Sequence, residues 1–348
     1  MNKTMRNALM GSATAVLLSA TNSVYAEVLP SVAPAPADNP TTPAKVELGK
    51  QLFFDPRLSI DGTVSCNSCH NVMASGTDNR ATSVGIDGQR GGRSAPTVWN
   101  SAFMTAQFWD GRAASLEEQA KGPPLNPIEM GMPSEEAVEA RLKSIPGYVK
   151  QFQAVFGGEG AVTYDNMAKA IAAFERILIT PNSPYDKFVA GDTDALSEQA
   201  KRGKKVFEKT GCNACHSGAN FAGPTSLPQG QGFYQKFPAF DSEYDKKYQF
   251  SKDKGRYEST KEKSDIGMWK VPTLRNVAQT APYFHNGTVN TLDEAVRVMA
   301  KTQLNKDLSN QEVNDIVAFL NSLTGEFPEI TMPRLPETAN TSLVGEVK

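Results

Sequence analysis

Cys66-Asn67-Ser68-Cys69-His70 is a C-x-x-C-H run, and Cys212-Asn213-Ala214-Cys215-His216 repeats it. In this motif two thiols form thioethers to the vinyl groups of a haem, and the adjacent His binds the iron. Cysteines three apart on a helical turn face the same way, so one porphyrin edge reaches both sulfurs. The next residue then projects its imidazole under the iron. The four Cys of the chain all fall in these two motifs. A zinc or disulfide scaffold would need further Cys or His beside each pair, and the chain does not supply them. Two covalently bound haem c groups are therefore expected, one on Cys66, Cys69 and His70, the other on Cys212, Cys215 and His216.

The chain opens Met1-Asn2-Lys3-Thr4-Met5-Arg6, followed by an apolar, small-residue run from Ala8 to about Ala20 and by Val24-Tyr25-Ala26. This reads as a secretory signal peptide cleaved near Ala26. The alternative is a membrane anchor, but the run is short and broken by Ser and Thr. No later segment reads as a membrane span. The expectation is export to the periplasm, where thioether formation consumes thiols that oxidation would otherwise threaten. A formal net charge of −2 gives no sign of nucleic-acid binding. Length and the two motifs divide the chain into a signal peptide (1–26), an N-terminal haem domain (27–184) and a C-terminal haem domain (185–348).

Residues 27–45 are rich in Pro and Ala and read as an irregular arm. Helical spacing begins near Val46, with Leu48, Leu52 and Phe53 on one face, and stops at Asp55-Pro56. A glycine-rich loop spans Asn71 to Ser94; beside a haem its expected role is to wrap the open face. Ser115 and Glu118 form a capping-box pattern for a helix that carries Gln119 and ends at Gly122-Pro123-Pro124. Further helices are expected near Ser134–Lys143, Asp165–Ile177, Leu196–Lys209, Leu292–Met299 and Gln311–Leu323. Pro181-Asn182-Ser183-Pro184 reads as a linker, and Ser217 to about Met268 as a long loop. No strand-rich segment stands out. The fold class is all-α, two cytochrome c-like haem domains with long loops.

The chain has three His. With His70 and His216 taken as proximal ligands, His285 alone is left for a second imidazole; it also suits a propionate contact or a buried turn. Met is the other common sixth ligand of c haems. Met299 lies downstream of His216 on an expected helix, where ordinary core packing is the competing role. For the first haem, Met73, Met104, Met130 and Met132 are available, but no spacing selects one. An open first haem beside a six-coordinate second one would make a catalytic centre with its own electron store. Two six-coordinate haems would make an electron carrier.

These residues resemble the bacterial dihaem cytochrome c peroxidases. The resemblance covers nearly all of the expected mature chain. It is carried by Cys66–Asn71, Ser94-Ala95-Pro96-Thr97, Ala106-Gln107-Phe108-Trp109-Asp110-Gly111-Arg112, Gln119–Pro123, Glu129-Met130, and Leu274-Arg275-Asn276-Val277 through Ala281-Pro282-Tyr283-Phe284-His285-Asn286-Gly287. It implies reduction of hydrogen peroxide to water, with electrons from a small periplasmic cytochrome c or cupredoxin. It makes the N-terminal haem the peroxide site and the C-terminal haem, with His216 and Met299, the electron-transfer centre. It places Trp109 between the haems and Gln119 and Glu129 in the distal pocket. It implies a homodimer, and a calcium ion held at Ser94, Thr280 and Pro282. Ser94 stands where other members carry a side-chain amide, which leaves Ca²⁺ a weaker donor.

Taken alone, Glu129 reads as a solvated loop charge, Gln119 as a surface helix residue and Trp109 as core. The chemistry nonetheless suits the family roles. A carboxylate can move a proton from the inner to the outer peroxide oxygen, and an amide can donate to the departing oxygen. Two other functions compete. One is a related dihaem enzyme that oxidises residues of a partner protein, a relative that carries Tyr where this chain has Met299. The other is a non-catalytic dihaem carrier. One departure stands out. The family's movable His, which caps the peroxidatic haem at rest, is matched by Ile86, which has no lone pair. The N-terminal haem is therefore expected to be open in the oxidised enzyme, with Met73 or Glu129 as substitute ligands.

Overall fold

A computed structural model of the chain describes residues 27–339 and 342. The expected signal peptide lies outside the described residues. Each half is built from the same parts, a helix that leads into C-x-x-C-H, a long loop, and a later helix that crosses back over the first.

In the N-terminal half, α1 (Pro43–Phe54) is capped by the Thr42 side chain, which accepts from the Lys45 N–H, and starts on a proline whose missing donor costs nothing there. It buries Leu48, Leu52 and Phe53. The one-turn α2 (Cys66–Cys69) follows. α3 (Leu116–Leu125), α4 (Glu135–Lys143) and α5 (Pro146–Phe156) lead to α6 (Tyr164–Glu175). α6 crosses α1 so closely that a Cβ on Gly49 would lie 1.9 Å from the Ala170 carbonyl oxygen. The C-terminal half repeats this. After α7 (Pro184–Val189), α8 (Glu198–Thr210) leads into Cys212, and α12 (Asn310–Asn321) crosses α8 at Gly203, where a Cβ would lie 1.8 Å from the Asp315 carbonyl oxygen. Only glycine permits either crossing.

The likeness extends into the loops. Asn100 and Asn276 both take the left-handed conformation, with φ 63 and 59°, as do Phe108 and Phe284, with φ 68 and 69°. Thr180 sits between the halves, and its hydroxyl accepts from the amides of both Asn100 and Asn276, each at 2.8 Å. The termini cross over. Leu29 N–H donates to Asp186 at 3.1 Å, while in the tail Phe327 packs edge-on against Trp99 at 5.1 Å. Asp186 in turn binds the fully buried Arg275 at 2.8 Å.

Several elements depart from expectation. The Ser115 hydroxyl caps Glu118 N–H as expected, but Glu118 accepts from Ala114 N–H rather than closing the box on Ser115. α3 also runs through Pro123 and Pro124 to Leu125; the prolines fall in the last turn, where the helix ends soon after losing their donors. α5 was not anticipated, although Tyr148 and Phe152 are both fully buried. The linker at 181–184 flows directly into α7, capped by Ser183 and Asp186. The loop from 217 to 268 contains α9 (Glu243–Tyr248), α10 (Tyr257–Thr260) and β1 (Tyr234–Lys236). β1 pairs antiparallel with β2 (Met268–Lys270), with Gln235 opposite Trp269. α11 (Leu292–Leu304) continues past Met299. Among the described residues no helix is long and apolar enough to cross a membrane.

Candidate functional site

Two cavities open beside the two C-x-x-C-H turns. In the first, Ser65 and Ser68 cap α2 reciprocally, and His70 N–H closes the turn on the Cys66 carbonyl at 2.9 Å. The His70 ring is anchored by Nδ1, which donates to the Pro96 carbonyl at 2.9 Å. That fixes the tautomer and leaves the Nε2 lone pair free, and burial lowers the imidazole's pKa and keeps it neutral. Cys66 and Cys69 are unpaired thiols. The second turn repeats the arrangement. Cys212 and Cys215 are free, His216 N–H bonds the Cys212 carbonyl at 2.9 Å, and His216 Nδ1 donates to the Phe221 carbonyl at 3.0 Å. Two free thiols and a neutral imidazole presented from one turn are the donor set that haem c requires, so both sites fit the expected cofactor.

The first cavity, about 360 Å³, brings Cys69 and His70 together with Trp109, Arg112, Gln119 and Glu129. Gln119 comes from α3, and Glu129 from the loop behind it. Asn126 organises that loop: its carbonyl accepts the Glu129 and Gly131 N–H groups, and its amide donates to Glu129 Oε1 at 2.9 Å. Burial raises the Glu129 pKa, opposed by Arg112 and by the Asn126 bond. The group is thus held nearer the range where a carboxyl can both take and give a proton. Arg112 is stacked on Phe108 at 3.4 Å and paired with Asp110 at 2.9 Å. The Asn71–Ser94 loop supplies part of the wall through Ser83, Gly85 and residues 91–94. Ile86 itself points away into the core at 6 % exposure, against Gly131 and Ile60. Met73 is exposed, and Met104, Met130 and Met132 are buried; none of the four lines this cavity.

The second cavity, about 280 Å³, is lined by Cys212, Cys215 and His216 with Met299 from α11. His285 lines it too, but its ring is stacked on Trp269 at 4.0 Å, and its Nε2 is buried without a hydrogen-bond partner among the described residues. Burial pushes the His285 pKa down to about 4, so it is neutral. Trp109 lines both cavities, and its indole N–H donates to the Ser94 carbonyl at 2.8 Å. Ser94, Thr280 and Pro282 share the wall of the second cavity. Ser94 Oγ donates to the Arg80 carbonyl at 3.4 Å, while the Asn79 amide donates to the Gln279 and Ala281 carbonyls. The three expected calcium donors are all neutral oxygens. Among the described residues no cluster of three or more Cys, His, Asp or Glu is placed to hold a metal ion. A Ca²⁺ here would rest on carbonyls and water.

Two residues of these surroundings were missed from the sequence. Glu175, buried in the wall of the first cavity, lies on the apolar face of α6 at helical spacing from Ala168, Ile171 and Ala172, a pattern that could have flagged it. Lys270 is buried in the wall of the second, where burial pushes its pKa down to about 8; no pattern near it gives a signal.

The sequence profile of the di-haem cytochrome c peroxidase family matches residues 43–194, and that of cytochrome c matches residues 200–324. The cytochrome c551 peroxidase of Pseudomonas aeruginosa is 48% identical over 304 residues, covering 87% of this chain and 85% of that protein. The cytochrome c551 peroxidase of Nitrosomonas europaea is 44% identical over 309 residues, covering 89% and 88%. A solved structure of a MauG-like protein associated with microbial copper homeostasis superposes with a TM-score of 0.74 at 29% identity, covering 86% of this chain and 95% of that one.

Proposed function

This chain belongs to the di-haem cytochrome c peroxidase family, and from that premise we propose that it reduces hydrogen peroxide to water in the periplasm, with electrons from a small cytochrome c or cupredoxin. The observation that carries the reading is one cavity in which a ligand-ready His70 shares the walls with Glu129, Gln119 and Arg112. When bound, each haem would supply an iron that exchanges one electron at a time.

The residues do the rest. His70 holds the N-terminal group through Nε2, with Pro96 fixing its ring. Glu129 takes the proton of the inner peroxide oxygen and returns it to the outer one, so that water rather than hydroxide departs. Gln119 donates a hydrogen bond to that departing oxygen. Arg112 acts on the carboxyl through its charge and favours its ionised form between transfers. Trp109, fixed by Ser94 in the wall common to both cavities, stands on the electron path between them. Met299 and His216 would together hold the iron of the C-terminal haem, and His285 is occupied by its stack on Trp269. Ser94, Thr280 and Pro282 hold Ca²⁺, and the enzyme works as a homodimer. The two functional units are residues 27–184 and 185–348.

At the position of the family's movable His, the core burial of Ile86 supports an N-terminal site that is open before any reduction. With no ligand to expel, peroxide binding needs no prior shift of population.

Glu129→Gln tests the reading. Both haems should remain attached and reducible, while turnover of peroxide with a reduced cytochrome c falls by about 10²-fold or more. Near-normal turnover removes Glu129 from the mechanism. No peroxide turnover by the wild-type protein leaves the electron-carrier reading in its place.

A further inference from the structure

Reduction of one peroxide consumes two protons as well as two electrons: H₂O₂ + 2 e⁻ + 2 H⁺ → 2 H₂O. Glu129 moves a proton between the two oxygens of the substrate and adds none. The two protons consumed must come from other groups of the cavity or from solvent.

Glu175 is the last residue of α6, 5 % exposed, and it lines the same cavity as His70, Gln119 and Glu129. Its Oε2 is buried without a hydrogen-bond partner among the described residues. A carboxylate oxygen so placed has no hydrogen-bond partner for its charge, so the group keeps its proton instead. Burial pushes its pKa up to about 8, against the pull of Arg176 and with a smaller push from Glu117.

The charged and titratable groups that face it are few. Arg176 follows it on the chain. Glu117 comes from α3, and Cys66 from α2. Glu129 and Arg112 share its cavity. Behind it runs a polar seam. Arg176 donates to Glu117, and the Asn39 amide donates to the same Glu117 oxygen at 2.7 Å. Lys45 Nζ then donates to Asn39 Oδ1 at 2.9 Å and to the carbonyl of the exposed Pro40 at 3.3 Å. The remainder of this core is hydrocarbon, formed by residues such as Phe53, Ile171 and Phe174.

We propose that Glu175 is the internal proton store of the peroxide cavity. It gives one of the two consumed protons toward Glu129 or the departing oxygen, is left as a carboxylate beside Arg176, and is reprotonated from solvent, which also supplies the second proton. The electrons come from the donor protein. The inference rests on the peroxidase reading given above.

Infrared difference spectroscopy on the holoenzyme tests it. Titrated upward from about pH 5 to 10, the wild-type should show a protonated-carboxyl C=O band that shifts in D₂O and disappears in Glu175→Gln. The folded protein holds this proton to about 8, whereas an unperturbed carboxyl loses it near 4.5. Ionisation therefore favours the unfolded chain, and stability to denaturant should fall as pH rises through that window, and fall less in Glu175→Gln. In turnover, Glu175→Gln should lower kcat by about 10-fold or more with KM unchanged and a larger solvent isotope effect, and Glu175→Asp should recover part of the rate.

An active wild-type with no carboxyl band assignable to Glu175, or a Gln variant with the wild-type rate and pH profile, overturns the proposal alone. A wild-type that does not turn over peroxide overturns both this and the peroxidase reading. Should the Gln variant fail to fold, the wild-type band decides. Its transient loss on mixing reduced enzyme with peroxide supports the proposal, and a band that stays constant overturns it.

Discussion

Gly85 is the tightest point between the loop over the first cavity and the loop that carries Glu129. A Cβ at this position would lie 1.8 Å from the Ile128 carbonyl oxygen and 2.8 Å from that of Glu129. Its φ of −99° is open to any residue, so Gly85→Ala adds a steric clash and no backbone strain. Carbon and carbonyl oxygen approach no closer than about 3.3 Å, so the two loops must part by about 1.5 Å. The Ile86 N–H donates to the Glu129 carbonyl across the same gap at 3.0 Å and would be stretched beyond hydrogen-bond range. Overpacking of this kind costs about 1–3 kcal/mol of stability. A displacement of about 1 Å at a catalytic group costs on the order of 10²-fold in rate. Gly85→Ala should therefore lose about 10²-fold in kcat/KM for peroxide. The spectrum of the His70 site should be unchanged, because Pro96 and α2 lie on other segments. Gly88→Ala is the control. It sits three residues on, at φ 71°, with nothing within 4 Å of an added Cβ. It should cost about 1 kcal/mol in strain and leave turnover intact. Steady-state assays with reduced cytochrome c and thermal melts on both variants decide. Equal turnover in the two, with Gly85→Ala destabilised, refutes the reasoning, because the Glu129 loop would then have moved without consequence.

Met299→Ala should leave the second haem attached, lower its potential and open its sixth position; an unchanged potential and low-spin signal would return Met299 to plain packing. Fully oxidised wild-type enzyme mixed with peroxide should show an immediate spectral change at the N-terminal haem, and a response only after reduction of the C-terminal haem would defeat the Ile86 argument. Ile86→His should introduce a low-spin signal at rest and make peroxide reactivity depend on prior reduction, at a stability cost of about 2–5 kcal/mol for the core packing lost around Gly131 and Ile60.

What could be read from the sequence was what is encoded locally. Two C-x-x-C-H turns, the cap at Ser115, and the apolar spacing of α1, α6, α8 and α12 are all short-range signals, and the structure keeps them. α5 escaped because only two residues separate it from α4 and it shows only Tyr148 and Phe152 as buried apolar positions. The β1–β2 ribbon has three residues a side, too few for an alternation to register. The crossing of the arm at Glu27–Leu29 and the tail at Phe327 onto opposite halves is a long-range fact with no local signature. At the site, Glu129 and Gln119 needed the family likeness because each alone looks like a surface residue. Glu175 was hidden for the opposite reason, a charge within the apolar face of α6 and followed at once by Arg176, which reads as an ordinary helix-end pair.

The internal repeat explains why two similar turns end in different sites. Pro96 and Pro272 hold corresponding places: His70 Nδ1 donates to the first, and the carbonyl of the second faces His216. The left-handed Phe108 and Phe284 then set Trp109 and His285 at matching positions, with their rings edge to face at 6.5 Å where the halves meet. Beyond Gly111 and Gly287 each copy runs the same distance to a capped helix, α3 behind Ser115 and α11 behind Thr291. Counted from the first residue of each helix, Met299 of α11 corresponds to Pro123 of α3. Both line their own cavity. A thioether there has lone pairs to offer a metal, while a proline ring has none. On the proposed reading, one position of a duplicated helix separates a cavity furnished with a sixth donor from one left free for substrate. Gln119 and Glu129 line the same cavity as Pro123, and supply it with polar groups where Met299 supplies the other with a thioether.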